Sequence, residues 1–526
     1  MQLKTLIKDL PITLRRGNGE CDIVGLTDDS RAVTKDSLFI ARPGADGDPM
    51  RFVPNAIQTG AIAVLLPHDV DDAAIDELPG DLAILTTKPN TVVDQRLCGK
   101  LAERFYDNPS RKLKLLGVTG TNGKTTTVTI AKHLLESAGH KTGLIGTVEL
   151  DTGSPTGPTP ATLTTPGAIQ LTQLLAEMVA NGCTCCVMEV SSHALHQGRA
   201  DHVRFAAAAF TNLTQDHLDY HGDMHAYADA KAILFESLDK DAFAVLNGDD
   251  TWSTRMALGC CAAITFSAVL HEPEEESPEQ LARRRCCAFP IEMTAATSTV
   301  EFAGPFARFK ATLPLPGMHN LSNALQAMAL ARLAMDVQPK QLRTALESCP
   351  PVPGRLEAVG PNWPQPPAPQ SNLPTVLVDY AHTPDALNNV GSTMRQLTKG
   401  KLITVFGCGG DRDRAKRPLM AKAAQQYADV VVLTSDNPRT EDPQQILDDA
   451  AKGFANTQHP TPKTQTIPDR AEAIRFAINL ATHNDTVLIA GKGHEDYQII
   501  GTEKHHFDDR EQAAAALGDK LNQSAI

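Results

Sequence analysis

Eleven consecutive residues, Gly117-Val118-Thr119-Gly120-Thr121-Asn122-Gly123-Lys124-Thr125-Thr126-Thr127, have the types and spacing needed to grip a phosphate chain. Glycines let a backbone wrap a phosphate with its N–H groups, and the N-terminus of a following helix favours the negative charge. Lys124 would reach the outer phosphates, and the Thr125 hydroxyl would bind Mg²⁺. An apolar strand pattern, Leu113 to Val118, precedes the loop. A helical period at Val128, Ala131, Leu134, Leu135 and Ala138 follows, with Gly139 as its stop. The spacing departs from the usual phosphate loop by one position, because valine stands at 118 where a glycine is wanted. A tight strand-to-helix turn without a ligand is the alternative reading.

Two further polar clusters close apolar strand patterns. Cys185–Met188 runs into Glu189-Val190-Ser191-Ser192-His193, and Ala206–Phe210 into Thr211-Asn212-Leu213-Thr214-Gln215-Asp216-His217-Leu218-Asp219. A carboxylate at the end of a parallel strand beside a phosphate loop is well placed for Mg²⁺, which makes Glu189 a candidate ligand and His217 a second. Thr164 and Thr165 could cap the helix expected near Gly167 or touch phosphate. Lys231, inside the helical pattern Tyr227–Leu234, reads on composition as a solvated helix lysine. Asn320 and Asn323, at the start of an alanine-rich helix, could be caps or amide ligands for a base. Ser30 and Arg31 could bind a phosphate or make a turn.

These groups need elements to hold them, and the chain supplies three units. Residues 1–94 alternate short strands (Ile23–Thr27, Ser37–Ala41, Ala61–Leu66, Ala83–Leu85) with turns, a small α/β domain whose glycine-rich stretch 44–51 is a ligand-loop candidate. Residues 95–349 hold the phosphate loop, opening on the helical pattern Gln95–Tyr106 and Asn108-Pro109. Residues 350–526 open on a linker-like stretch, Pro350-Pro351-Val352-Pro353-Gly354-Arg355. Their strands Val376–Val378, Leu402–Phe406, Val430–Leu433 and Thr486–Ala490 alternate with helical patterns, which predicts a doubly wound α/β domain with its ligand beyond the strands' carboxyl ends. Those ends carry Asp379-Tyr380-Ala381-His382, Gly407-Cys408-Gly409-Gly410-Asp411-Arg412, Asp436-Asn437-Pro438-Arg439 and Gly491-Lys492-Gly493-His494-Glu495. Arg412 and Arg439 have the character to bind a carboxylate bidentately. The proline-rich tract 361–374 reads as an exposed loop, and 271–285 as a charged surface excursion.

Bulk properties narrow the function. At 526 residues, with 42% hydrophobic and 21% charged residues, the chain has the balance of a soluble globular protein of about three domains. A net charge of −13 argues against non-specific nucleic-acid binding, so an anionic ligand must be held by local Arg, Lys, Mg²⁺ or helix ends. No apolar run approaches the ~18 residues of a membrane span, and the amphipathic start lacks a signal-peptide core, so the expectation is a cytoplasmic enzyme. The 11 cysteines do not suggest a disulfide framework. Cys183 and Cys186 read as inert core thiols, and the pairs at 260–261 and 286–287 lack metal-ligand spacing.

Taken together, Gly-Thr-Asn-Gly-Lys-Thr-Thr (120–126), Glu-Val-Ser-Ser-His (189–193), Asp-His-Leu-Asp-Tyr-His-Gly (216–222), His-Asn-Leu-Ser-Asn (319–323), Gly-Arg-Leu-Glu (354–357) and Asp-Tyr-Ala-His-Thr-Pro (379–384) resemble the Mur ligase family of peptidoglycan synthesis, over nearly the whole chain. Asp-Asn-Pro-Arg (436–439) resembles the signature of the branch that adds meso-diaminopimelate, and lysine-adding relatives usually differ there. The resemblance implies a UDP-substrate domain, a central ATPase domain of phosphate-loop type and a Rossmann-like C-terminal domain. It implies ATP-dependent amide formation between a UDP-N-acetylmuramoyl dipeptide and meso-diaminopimelate, by a monomer acting on small molecules. Gly120, Thr121, Asn122, Gly123, Lys124, Thr125, Thr126, Asn320 and Arg355 would serve ATP. Asp28, Ser30, Thr164, Thr165, Ser191, Gln197 and Arg199 would contact the UDP-sugar dipeptide. Arg412, Asp436, Asn437, Pro438, Arg439, Gly491 and Glu495 would hold diaminopimelate. Thr125 and Glu189 would hold one Mg²⁺; His217 and Lys231, the latter carbamylated so that an ammonium becomes a carboxylate-like ligand, would hold another. Lys124, Glu189, His217 and Lys231 are then the catalytic set. Three places depart from the pattern: Asp28, Ala45-Asp46-Gly47 and Leu163. The rivals are a lysine-adding ligase, a folylpolyglutamate-synthetase-like ligase, and a nucleotide switch or motor that forms no product bond.

Overall fold

The computed structural model describes residues 1–526 except 44–46, 270–284, 295–296, 305–307, 366–371, 455–462 and 525–526. Three principal sheets, of five, eleven and six strands, follow one another along the chain. The central sheet positions the phosphate loop. Its middle strands lie parallel in the order Phe243–Asn247, Phe205–Phe210, Lys114–Thr119, Cys185–Glu189, Thr142–Ile145. They read as nearly unbroken apolar runs because helices cover both faces. Alternate side chains serve opposite cores. Leu116, Val118, Val187 and Ala209 pack under the helices Lys124–Ser137 and Met318–Met335. Leu115, Met188, Ala208 and Phe210 pack under Ala168–Ala180 and Met224–Glu236. Removing one such side chain, as in Leu134→Ala, would cost about 2–5 kcal/mol.

The first sheet runs Ile12–Arg16, Ala83–Thr87, Ala61–Leu66, Ser37–Ile40, Gly25–Thr27, parallel except for its first strand. The helix Gln95–Phe105 packs Leu97, Cys98, Leu101 and Ala102 on this sheet's core and meets Ala168 and Ile169 there. The third sheet orders Glu357–Val359, Thr375–Asp379, Thr486–Ala490, Leu402–Cys408, Val430–Ser435 and Lys463–Thr466. All but the first are parallel, so the four polar strand ends expected from the sequence share one edge.

Several expectations need correction. Lys231 is 1% exposed, not solvated. It lies four residues after Tyr227 and three before Leu234, on the helix face that packs against the sheet. Thr164 and Thr165 do not cap the next helix: Gly167 is its N-cap, and Ala168 N donates to Gln95 Oε1 instead. Asn320 and Asn323 are not caps either, because their helix starts after Gly317. Of the proline-rich tract, Asn362, Pro364, Gln365 and Asn372 are exposed as expected, while Trp363 is half-buried with Nε1 donating to Glu357 Oε1 at 2.9 Å; residues 366–371 lie outside the described residues. Of the charged stretch 271–285, only Arg285 is described, as the first residue of the strand Arg285–Met293. Of the loop 44–51, residues 44–46 lie outside the described residues.

Candidate active site

The strand Lys114–Thr119 delivers the chain to the loop, and the helix Lys124–Ser137 takes it away. Gly120 and Gly123 have φ of +150° and +85°. A Cβ at 120 would lie 1.9 Å from Thr211 Oγ1, and one at 123 would lie 2.4 Å from Asn323 Oδ1. Both positions therefore require glycine. Gly117 has another task, since a side chain there would strike the Phe205 ring. Val118 is a buried core residue of the strand, so the loop turns one step later than the usual spacing predicts.

A strap of residues 211–214 holds the loop in shape. Thr121 N donates to Asn212 O at 2.8 Å, Asn122 N donates to Asn212 Oδ1 at 2.9 Å, and Thr211 Oγ1 donates to Asn122 O at 2.6 Å. Lys124 Nζ donates to Gly120 O and Thr121 O at 3.0 and 2.9 Å, which puts its charge at the loop's mouth. Asn320 sits behind the loop: its Nδ2 donates to Pro316 O, and Asn323 Nδ2 donates to its Oδ1. Asn323, the other amide offered for a base, lies nearer, accepting from Thr127 Oγ1 at 3.4 Å.

Glu189, fully buried at its strand's end, is where sequence-predicted groups converge. Thr125 Oγ1 donates to Glu189 Oε1 at 2.9 Å. Thr147 adds two bonds, N to Oε1 at 2.8 Å and Oγ1 to Oε2 at 3.0 Å. A hydroxyl and a carboxylate are hard oxygen donors suited to Mg²⁺, which takes one or two protein ligands and completes its shell with phosphate oxygens and water. Among the described residues no group of three or more His, Cys, Asp or Glu could hold a metal ion.

Lys231 Nζ donates to Gly120 O at 2.8 Å and lies 4.4 Å from the Tyr227 ring centroid. Burial, then the neighbouring Lys124 charge, lower its pKa well below the ordinary lysine value. Nearby are His217, at φ +53°, and His193, whose ring centroids are 4.8 Å apart. Tyr220, part of the 216–222 motif but assigned no role of its own, lies tilted over His193 at 4.1 Å and bonds His196 Nδ1 at 2.9 Å.

The residues expected to meet the UDP-linked substrate form a second group. Thr165 Oγ1 donates to Glu189 O and accepts from Ser191 N. Thr165 O accepts from Arg199 Nη1 at 2.9 Å, and Arg199 grips Gln197 Oε1 through Nε and Nη2. Ser191 caps the helix Ser192–His196, and Thr164 Oγ1 meets Thr147 Oγ1 at 3.0 Å. In the first unit, Asp28 takes Arg42 Nε at 3.2 Å and Gln95 Nε2 at 3.4 Å, while Ser30 accepts from Asn55 through its carbonyl. Arg31 is exposed and paired with Asp29, the turn reading of the two left open.

The third unit brings Asp436, Asn437, Gly491 and Glu495 together. Asn437 Nδ2 donates to Glu495 Oε2 at 3.0 Å. Burial alone would raise Asp436, but the Lys492 ammonium and then Arg470 hold it below the usual carboxylate range. Pro438 packs its carbonyl beneath Gly410, and Arg439 Nη1 donates to Gly410 O at 2.7 Å. Arg412 is exposed at the rim, donating to Asp411 O. Among the described residues, polar contacts that join this unit to the central one include Arg355 Nη2 to Thr125 Oγ1 at 3.3 Å, Asn122 Nδ2 to Asp385 Oδ2 at 3.3 Å, and Lys416 Nζ near Asp216 Oδ1 at 3.5 Å.

Comparison with known proteins decides the family. The model of the Mur ligase middle domain matches residues 118–331, and that of the Mur ligase, glutamate ligase domain matches 365–493. A relative from Trichormus variabilis is 43% identical over 516 residues, covering 98% of this chain and 97% of its own. The chain belongs to the Mur ligase family. That family member is named UDP-N-acetylmuramoyl-L-alanyl-D-glutamate–2,6-diaminopimelate ligase, as is one from Geobacillus thermodenitrificans, 43% identical with 99% of this chain and 100% of the relative covered. A solved structure with that name superposes with TM-score 0.66 at 31% identity over 99% of both chains. A Mycobacterium tuberculosis folylpolyglutamate synthase structure with ADP (TM-score 0.56, 18% identity, 79% of this chain and 92% of that one) shares the Mur ligase fold only.

Proposed function

We propose that this chain joins meso-2,6-diaminopimelate to UDP-N-acetylmuramoyl-L-alanyl-D-glutamate with ATP as co-substrate. The observation that carries the reading is the meeting of three groups at one place. The phosphate loop, the Thr125–Glu189 pair and the third unit's Arg355 are in contact, with the Asp436–Glu495 cluster on that same unit. Relatives about as long as this chain, 43% identical and named for this reaction, support it over a lysine-adding or folate-type ligase. We keep with it the division 1–94, 95–349 and 350–526, and the assignment of all sequence-predicted site residues. A cytoplasmic monomer working on small molecules without nucleic acid also belongs to the proposal. The net charge of −13 agrees with it, and no helix among the described residues is long and apolar enough to cross a membrane.

In the proposed reaction the D-glutamate γ-carboxylate attacks the γ-phosphorus of ATP, giving an acyl phosphate and ADP. The diaminopimelate amine then attacks the acyl carbon, and phosphate leaves with the C–O bond electrons. Lys124 and the loop N–H groups offset charge on the transferring phosphoryl group. Thr125 and Glu189, with His217 and carbamylated Lys231, would hold Mg²⁺, which supplies Lewis acidity to the phosphates. A neutral Lys231 amine can add to CO₂, forming the carbamate N–C bond and releasing one proton, and the carbamate N–H can still donate to Gly120 O. The third unit, seated at the loop through Arg355, keeps water from the acyl phosphate and holds the amine near it.

The test is phosphate release with ATP, Mg²⁺ and the UDP-linked dipeptide, comparing meso-diaminopimelate, L-lysine and no amino acid, with the nucleotide product weighed by mass spectrometry. Turnover with diaminopimelate alone and the tripeptide mass are expected. Turnover with lysine instead overturns the substrate assignment, and ATP turnover without any new bond overturns the ligase reading.

A further inference from the structure

We propose that Lys492 is a positioning residue for the amino acid carried by the third unit, an inference that rests on the ligase reading above. Lys492 is fully buried at the carboxyl end of the strand Thr486–Ala490, and the sequence assigns it no role. Its Nζ donates to Asn437 Oδ1 at 3.0 Å and forms ion pairs with Asp436 Oδ1 at 3.3 Å and Glu495 Oε2 at 3.6 Å. One ammonium thus touches three of the side chains assigned to diaminopimelate.

Hydrogen-bond arithmetic makes the contact directional. Asn437 Oδ1 also accepts from Ile499 N at 3.0 Å. With two donors on the oxygen, the amide has one orientation, and its Nδ2 must face Glu495 Oε2, 3.0 Å away. A hairpin formed by Tyr497–Ile500 and Glu503–His506 closes the other side. Gln498 Nε2 donates to Asp436 O at 2.6 Å, Arg439 N to Ile499 O at 3.1 Å, and Gly501 N to Arg439 O at 2.8 Å. Backbone at 436–439 is therefore held by the hairpin, and the side chains at 436, 437 and 495 are held by Lys492. Removing the ammonium leaves Ile499 N as the one donor on Asn437 Oδ1 and takes from Asp436 and Glu495 the cation they share. The substrate groups that meet this cluster lose their geometry, while the phosphate loop keeps its own strap.

The experiment is steady-state kinetics on the full-length enzyme, with each of the three substrates varied in turn. Wild type is measured first, because failure to make the tripeptide would sink the ligase reading before Lys492 is at issue. Lys492→Met keeps the volume and removes charge and donor; Lys492→Gln keeps a donor. For Lys492→Met we expect the KM for meso-diaminopimelate to rise about 10- to 100-fold, the range for a lost hydrogen bond to a charged group. The KM values for ATP and the UDP-linked dipeptide should stay within about twofold, and kcat should fall less than KM rises. Lys492→Gln should fall between the two. An unchanged KM for diaminopimelate, an equal loss toward all three substrates, or failure of both variants to fold would make Lys492 a plain structural residue and overturn the proposal.

Discussion

Lys231 and Lys492 are both buried, at 1% and 0% exposure, yet their surroundings differ in kind. Lys492 faces two carboxylates and an amide oxygen within 3.6 Å. Lys231 has one backbone carbonyl and a tyrosine ring, with a second lysine close enough to lower its pKa further. Burying a charge is costly unless it is paired, and an unpaired amine responds by giving up its proton. The central unit therefore holds a lysine whose burial favours the uncharged amine, whereas the third unit holds one set between two carboxylates.

The sharpest way to break this contrast is Lys231→Ala. We expect ligation to fall about 1000-fold, as for the loss of a group that stabilises transferring charge, with partial rescue by added short carboxylates. Near-normal activity, measured as tripeptide formed, would remove the carbamate role. Glu189→Gln comes next. It leaves Thr125 an acceptor but opposes Thr147 Oγ1 with an amide, and should lower kcat about 100-fold while leaving the melting temperature nearly unchanged.

The contrast also explains what could be read from the chain. The loop 117–127, its flanking strand and helix, and the four strand ends of the third unit follow from apolar runs broken by glycine and polar clusters, which local spacing reveals. Burial of Lys231 was legible too, had the apolar face been followed through Tyr227, Lys231 and Leu234, but alanines at 226, 228, 230 and 232 blur the period. Lys492 was not, because Gly-Lys-Gly looks like an open turn and its partners stand 55 and 56 residues away at Asn437 and Asp436. Short or mixed strands, Ile12–Arg16, Glu357–Val359 and Lys463–Thr466, went unseen because pairing, not local pattern, makes them strands.

Asp436→Asn tests the paired side of the comparison. It leaves Lys492 with the Asn437 amide oxygen and Glu495, at 3.6 Å, as its one carboxylate, so it should lower stability by about 1–3 kcal/mol in urea unfolding. A neutral effect would mean that the ion pair contributes nothing net, as replaced buried pairs sometimes do.

A partly buried histidine extends the contrast to pH. His202 bonds Thr172 Oγ1 through Nε2, and burial pushes its pKa down to about 4 from 6.5. The unfolded chain takes up this proton first, so the stability it contributes is complete above about pH 6.5 and is lost as pH falls toward about 4. Urea midpoints at pH 7 and 4.5 should fall more for wild type than for His202→Asn. Equal slopes would mean that His202 is protonated in the folded protein.

The smallest effect belongs to a half-buried pair. Lys416 Nζ stands 3.5 Å from Asp216 Oδ1 across the seam between the second and third units, with side chains 39% and 18% exposed. Coulomb attraction there is screened by water and salt, and holding a long lysine side chain costs entropy, so Lys416→Ala should cost under about 1 kcal/mol. The loss should shrink further between low and high salt. Asn122–Asp385 and Arg355–Thr125 still span the seam in the variant. A cost of several kcal/mol, or one indifferent to salt, would show that Lys416 behaves like the buried Lys492 and not like a surface cation, and exposure would then no longer separate the two kinds of lysine.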